Sequence, residues 1–138
     1  MIISTELLDN LTAQAKASPR LRQNYDLRDT PEDGSQRMLN AMEPGTVLPI
    51  HRHRRSSETV VILRGRGRWN FYDDEGNNTE STILDANGEV RALSVPKGQW
   101  HNTESLVSGT VILECKDGSY APLGAEDILE AKIINLLE

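Results

Sequence analysis

Three histidines and one glutamate carry the clearest chemical signal in the sequence. His51 and His53 stand two positions apart, Glu58 follows a short polar turn, and His101 closes the segment Pro96 to His101. Side chains at i and i+2 of a strand share a face, so the first two imidazoles can enter one cavity. Two imidazoles and a carboxylate suit a divalent first-row metal. His101 can supply a fourth ligand from an adjacent antiparallel strand.

The chemistry of such a site is that of an open metal centre. The chain has three histidines and one cysteine, so a thiolate-rich structural zinc site is excluded. Three imidazoles and a carboxylate leave room for water or substrate, and the metal can polarise a carbonyl or hydroxyl or activate bound water. Zinc, manganese, iron, nickel, cobalt and copper all accept these ligands, so the sequence predicts one divalent transition metal without naming it.

Short strands must position these residues. Alternating apolar residues and frequent turn signals predict strands near residues 37–42, 47–50, 58–63, 67–72, 80–84, 90–95, 99–104 and 109–115. Because no helical stretch separates them, a parallel sheet is disfavoured and a closed or sandwiched antiparallel architecture is expected. The fold class is therefore mainly all-β.

Two helices are predicted to flank the strands. In the first, Ile3, Leu7, Leu8, Leu11 and Ala15 share one face, and Ser18-Pro19 ends it. Residues 20–36 are polar and read as a linker, and residues 125–137 predict a second helix with a broad apolar face. We therefore expect a single domain composed of an N-terminal helix and linker (1–36), a β-barrel with the metal site (37–120) and a C-terminal helix (121–138).

The net charge and the apolar content of the chain indicate which kinds of partner it binds. The chain has 138 residues and a formal net charge of −6, which argues against a nucleic-acid surface or a polybasic membrane contact. No apolar run approaches the roughly 20 residues of a membrane span, and the N-terminus has no basic region typical of a signal peptide. The sequence thus predicts a cytoplasmic protein with a small-molecule ligand or substrate, no nucleic acid and no membrane partner.

The two histidine segments resemble the two conserved motifs of the cupin superfamily. The first motif is matched at every fixed position and the second at three, while Val90 and Ser105 depart from it outside the ligand positions. The matching residues are Gly45, His51, His53, Glu58 and Gly65, then Pro96, Gly98 and His101. The resemblance implies a double-stranded β-helix, or jelly-roll barrel, with metal ligands His51, His53, Glu58 and His101.

The flanking segments are similar to a narrower group, the WbuC-type cupin-fold metalloproteins. The similarity lies in residues 17–20, in Glu43-Pro44-Gly45 and in residues 114–120. Members of that group are often encoded near polysaccharide biosynthesis genes and have no assigned reaction. The resemblance implies a fold and a site, and it suggests surface polysaccharide synthesis as the setting.

Two functional hypotheses follow. The first is a metal-dependent enzyme on a small oxygen-rich metabolite, such as a carbohydrate or nucleotide-sugar derivative, of isomerase, epimerase or dioxygenase type. Glu114, Tyr120 and Lys116 are the candidate catalytic residues for proton transfer. The alternative is a non-catalytic metal-dependent binding module for a small ligand. Titratable groups beyond the metal would favour the enzyme, and an apolar lining would favour a binder or an oxygenase.

The remaining polar residues give weaker expectations. Arg52 is expected to point away from the cavity onto a solvated face. Arg20, Arg22 and Arg28 either brace the first helix or line the pocket mouth, and the sequence leaves both readings open. The apolar faces of the two flanking helices suggest a homodimer.

Overall fold

The computed structural model describes residues 1–129. One helix, α1 (Thr5–Ala17), precedes eight strands and a single turn of 3₁₀ helix at Ala125–Asp127. The strands are β1 (Arg22–Asp26), β2 (Ser35–Met42), β3 (Glu58–Arg64), β4 (Arg66–Tyr72), β5 (Asn78–Asp85), β6 (Ala92–Val95), β7 (Trp100–Ser105) and β8 (Thr110–Asp117). No helix within the described residues is long and apolar enough to cross a membrane.

The strands form two antiparallel sheets that face each other. The larger sheet has the order β1-β2-β8-β3-β6 and the smaller has the order β5-β4-β7. Alternate side chains of the larger sheet, among them Met42, Val60 and Ile112, pack against Trp69 and Leu84 of the smaller one. The expected all-β architecture with antiparallel strands is confirmed, and seven of the eight predicted strands match observed ones to within two residues at each end.

The N-terminal helix covers the outer face of the larger sheet. Its start is capped by the Ser4 hydroxyl, which accepts a hydrogen bond from the Leu7 amide at 3.3 Å. Leu11 and Ala15 are buried against Leu39 and Ala41, which belong to the outward-facing set of β2. The predicted N-terminal helix is confirmed, and it leaves the inner face of the same sheet free to form the site.

Two predicted elements differ from the structure. Residues 47–50 form no strand, because Pro49 lacks an amide donor and only His51 makes an isolated bridge. In contrast, the predicted linker contains β1, which pairs with residues 38–42 of β2 and adds an edge strand to the larger sheet. Its residues are polar and half-buried or exposed, so they lack the apolar alternation that would reveal a strand.

The predicted C-terminal helix falls largely outside the described residues, since 130–138 are not described. Within the described part, Ala125–Asp127 forms only a 3₁₀ turn, and Ile128 adopts extended backbone and bridges to His51. A helix beginning at residue 125 is therefore wrong. The backbone pairing at residue 128, which brings the segment back to the barrel, competes with helix formation at this point.

Gly65 makes the tight turn from β3 to β4. Its φ of +83° lies in the left-handed region, and a Cβ at this position would come within 2.7 Å of the Thr110 Cα. Glycine alone adopts this conformation at low cost and permits so close an approach of two backbones. The turn joins the two sheets at the end of the barrel away from the histidines.

Candidate metal centre and its cavity

Backbone hydrogen bonds bring the two histidine segments together. His51 and His101 form a bridge in which each amide donates to the other's carbonyl, at 3.0 and 2.9 Å. The Gly98 amide donates to the His53 carbonyl at 2.9 Å, which ties the turn before β7 to the second histidine. The sequence placed His51 and His53 on a strand, whereas the structure holds them through these isolated contacts and still directs both rings into one cavity.

Glu58 reaches the same place from the start of β3. The turn before it is fixed by Asp117 at the end of β8, whose carboxylate accepts from the Ser57 amide at 2.8 Å and whose carbonyl accepts from the Ser56 hydroxyl at 2.7 Å. The Glu58 side chain is buried and its Oε2 lies 3.4 Å from His101 Nε2 and 3.9 Å from His53 Nε2.

The ring orientation of two histidines is set by backbone carbonyls. His51 Nδ1 lies 2.9 Å from the Pro49 carbonyl, and His101 Nδ1 lies 2.9 Å from the Gln99 carbonyl. A carbonyl only accepts hydrogen bonds, so each Nδ1 must carry the proton and each Nε2 presents a lone pair. The three histidines offer ligand nitrogens that all lie within 4.8 Å of one another.

Burial keeps the imidazoles of His51 and His53 neutral. Desolvation, reinforced by His101, lowers the pKa of His51 to about 3. Desolvation, reinforced by the Lys116 charge, lowers the pKa of His53 to about 4. Burial by itself favours the neutral acid of Glu58, but the neighbouring His101 ring and the Lys116 charge outweigh it and hold the pKa of Glu58 below its ordinary value. His51 and His53 are therefore neutral imidazoles beside the Glu58 carboxylate.

This donor set fits a divalent metal. Within the part of the chain that the structure describes, the Nε2 atom of His53 is buried without a hydrogen-bond partner, and lone pairs of His101 and Glu58 face each other at 3.4 Å. Acceptor atoms placed so closely require a shared cation, either a proton or a metal ion. Nδ1-to-carbonyl hydrogen bonds are the usual outer contacts of metal-ligating histidines, because they fix the tautomer. The three histidines are thus positioned for metal binding, with Glu58 beside them.

A cavity of about 970 Å³ opens from this cluster between the two sheets. Glu114 and Lys116 lie on the inner face of β8 and line it, and in the strand register Lys116 is directly opposite Glu58. Burial, reinforced by the Glu58 charge, raises the pKa of Glu114 to about 7. Tyr120 lines the same cavity at its exposed edge, where the Arg28 guanidinium lies 6.0 Å from its ring. The structure therefore brings all three candidate proton-transfer residues to one cavity.

The arginines are placed differently from the expectation for Arg52. Its guanidinium stacks 4.4 Å from the Trp100 ring and pairs with Asp127 at 3.1 Å, so the side chain is largely covered at the cavity rim. The expected solvated position is wrong, because the strand alternation on which it rested does not apply to the irregular segment around His51. Arg28 pairs with Asp26, whereas Arg22 lines the cavity.

Sequence reasoning missed the polar wall that β1 and β2 contribute to the cavity. Its residues are Arg22, Asn24, Gln36 and Asn40, all at even positions. The alternation was visible in β2, where odd positions carry the apolar residues that pack on α1. The sequence did not show that β1 continues the same wall, because residues 20–36 were predicted to be a linker.

The fold has many solved relatives of low sequence identity. CapF from Staphylococcus aureus, described as a capsular polysaccharide assembling protein, matches with a TM-score of 0.61 and 21% identity over 72% of this chain. KdgF from Halomonas sp. matches with a TM-score of 0.58 and 17% identity over 75% of this chain and 84% of its own. An oxalate decarboxylase variant from Bacillus subtilis matches with a TM-score of 0.59 and 17% identity over 78% of this chain.

These neighbours are cupin-fold proteins, and at such identities they show the fold alone. The chain spans only 27% of CapF and 28% of the oxalate decarboxylase. In sequence, no curated protein matches at a significant level. The family described as "Domain of unknown function (DUF6016)" matches residues 3–84, more than half of the chain. The chain has the cupin fold and belongs to the DUF6016 family.

Proposed function

We propose that this protein is a metal-dependent cupin enzyme that moves a proton on a small oxygen-rich metabolite, most simply as an isomerase or epimerase of a carbohydrate or nucleotide-sugar derivative. The observation that carries the proposal is that a half-buried carboxyl group, Glu114, lines the same cavity as the three-histidine cluster. A metal centre and a separate proton-transfer group in one cavity are the two parts that such a reaction requires.

In this proposal His51, His53, His101 and Glu58 hold the metal. A divalent metal bound there supplies Lewis acidity toward a carbonyl or hydroxyl oxygen of the substrate. Glu114 in its ionised form accepts a proton from the carbon next to that carbonyl and returns it to complete the isomerisation. Lys116, opposite Glu58 in the strand register, adds positive charge that stabilises negative charge on the substrate oxygen.

The lining of the cavity favours this reading over the alternatives. An oxygenase or a passive binder needs no proton-transfer group, whereas Glu114, Lys116 and Tyr120 all line this cavity. A dioxygenase-like reaction on the same ligands and a non-catalytic binding module are the two alternatives. Both predict that Glu114 is dispensable for whatever the protein does to its ligand.

The metal site is tested by elemental analysis of protein purified from its native host. We expect about one divalent metal per chain in the wild type and less than a tenth of that in His51→Ala and His101→Ala. Glu58→Gln should also lose metal, whereas Glu104→Gln, the same change at an exposed residue paired with Arg68, should keep it. Wild-type metal content in both histidine variants would refute the site.

Proton transfer is tested by hydrogen exchange in D₂O. The metal-loaded protein is incubated with a panel of aldoses, ketoses and nucleotide sugars, and the loss of a carbon-bound proton signal is followed by NMR. We expect exchange in one or more compounds, reduced at least a hundredfold in Glu114→Gln without loss of metal. Binding without exchange would support the binding module, and exchange that survives Glu114→Gln would remove Glu114 from the mechanism.

The finer parts of the assignment rest on the sequence. We propose membership in the WbuC-type group, a role linked to surface polysaccharide synthesis, a cytoplasmic location and a homodimer. The flanking segments that resemble that group support the first two proposals, and the description of CapF as a capsular polysaccharide assembling protein agrees with the second. Light scattering tests the homodimer, and a monomer at micromolar concentration would overturn it.

A further inference from the structure

The wall of the cavity formed by β1 and β2 carries polar groups for which proton transfer has no use. Arg22 and Asn24 on β1 and Asn40 on β2 face the same interior as the histidine cluster. In the strand register Asn24 is opposite Asn40 and Arg22 is opposite Met42. Arg22 and Asn40 are thus diagonal neighbours on one face, about 7–8 Å apart at their Cα atoms.

Arg22 is a partly buried cation in the cavity wall. Among the described residues its guanidinium forms no ion pair and donates no hydrogen bond, although the side chain is partly buried. Its neighbour Arg28 illustrates the contrast, since that guanidinium is held by Asp26 at 2.7 Å. A partly buried guanidinium costs free energy to desolvate, and an anion that binds it recovers that cost.

Asn40 provides an open acceptor beside it. The residue is only 8% exposed, and its Oδ1 is buried without a hydrogen-bond partner among residues 1–129. Buried polar atoms in folded proteins are nearly always paired, so an open one in a cavity wall indicates a group that arrives with the ligand. An amide oxygen accepts, so that group must be a donor, such as a hydroxyl.

We propose that Arg22 and Asn40 form an anion subsite and that the ligand is a hydroxy acid of the sugar-acid class. Its carboxylate binds Arg22 and a neighbouring hydroxyl donates to Asn40 Oδ1, while the rest of the molecule extends toward the histidines. The opposite charges of Arg20 and Glu114 both act on Arg22 and offset each other, so a single guanidinium charge faces the ligand, which suits a carboxylate better than a phosphate dianion. As a statement about substrate, this proposal rests on the proposed function.

The test is calorimetric titration of metal-loaded protein with D-gluconate, with D-glucose as the neutral analogue and glucose 6-phosphate as the phosphate arm. We expect gluconate to bind at least tenfold more tightly than either. Arg22→Gln should weaken gluconate binding tenfold or more, because a charge-assisted pair is lost. Arg66→Gln is the matched control: it makes the same charge change at an exposed residue outside the cavity lining and should alter affinity less than twofold.

The hydroxyl contact is tested on the ligand as well as on the protein. Asn40→Leu should weaken gluconate binding about fivefold to tenfold, and gluconate lacking the 2-hydroxyl should lose a similar factor in the wild type but nothing further in the variant. The ligand analogue keeps this arm decisive if the variant does not fold.

Several outcomes overturn the subsite. They are equal binding of gluconate and glucose, preference for the phosphate, no binding of gluconate, or unchanged affinity in Arg22→Gln. Failure of the proposed function is distinct, because it appears as absent metal or absent hydrogen exchange in the wild type. Anion selectivity measured in chelator-treated protein isolates the subsite from the metal.

Discussion

Gly65 and Gly98 share a backbone conformation but differ in the space around them, so they can be compared directly. Both have left-handed backbones, with φ of +83° and +78°. A methyl group at Gly98 would meet nothing within 4 Å, whereas at Gly65 it would lie 2.7 Å from the Thr110 Cα. Replacing each by alanine therefore separates the cost of backbone conformation from the cost of the close approach between two strands.

The magnitudes follow from this geometry. An L residue in the left-handed region costs about 1 kcal/mol, so Gly98→Ala should lower the free energy of unfolding by about that amount. Gly65→Ala bears the same cost and adds a clash with backbone that cannot move aside. Thr110 is fully buried, and its hydroxyl is bound to the Val107 carbonyl at 2.8 Å. Overpacking of this kind costs about 1–3 kcal/mol, so the total for Gly65→Ala should be about 2–4 kcal/mol.

Urea titrations of the metal-free protein measure both values. Trp69 and Trp100 are buried, so their fluorescence reports the loss of the barrel. A chelator is included because the turn at Gly98 lies close to His101, and metal binding would otherwise add to the measured stability. If the free energies of unfolding of the two variants agree within about 0.5 kcal/mol, the close packing of Gly65 on Thr110 has no energetic consequence and the reasoning fails.

Three further predictions concern charge, metal and the helix. The raised pKa of Glu114 stabilises the folded state below the unfolded pKa of this group, and the contribution is lost as the pH rises through about 7. Between pH 5 and 8 the free energy of unfolding of the metal-free wild type should therefore fall by about 2–3 kcal/mol relative to that of Glu114→Gln. Urea midpoints of the two proteins that change in parallel with pH would contradict this. Chelation should lower wild-type stability by about 4 kcal/mol when free metal exceeds its Kd a thousandfold, and thermal melts of His101→Ala should show no such difference. Arg64 bonds Asp9 at 2.6 Å and Thr12 at 2.9 Å, so Arg64→Met should cost about 1–3 kcal/mol and speed amide exchange in α1; unchanged exchange there would count against the link.

The strands that the sequence predicted well are those with buried apolar residues. β3 and β8 contain short apolar runs because one face meets the opposite sheet and part of the other packs beneath α1. β1 has no such apolar run, because it is a polar edge strand. Its pairing with β2 depends on the fold as a whole. Edge pairing is decided by tertiary context that a local pattern does not contain.

The histidine cluster was predicted correctly, although His51 and His53 do not lie on the strand that the prediction assumed. The spacing of His51 and His53 indicated a shared direction, and the structure achieves it with isolated bridges at His51 and a backbone hydrogen bond at His53 in place of a strand. The subsite at Arg22 and Asn40 could not be foreseen, because it joins two strands of which only one was recognised. Residue type and spacing thus predicted the ligand groups of the metal site, whereas the cavity wall formed by β1 and β2 could be recognised only in the structure.

The backbone of His51 has neighbours on both sides. His101 pairs with it on one side, and residues 127–129 lie against it on the other. There the Leu129 amide donates to the Ile50 carbonyl at 3.0 Å, and the Arg52 amide donates to the Asp127 carbonyl at 3.1 Å. We therefore expect occupancy at the His51 imidazole and docking of residues 127–129 to be thermodynamically coupled, and such coupling is reciprocal. A ligand that fixes His51 should also slow opening of residues 127–129, so amide exchange at Leu129 is expected to report what is bound at the histidines.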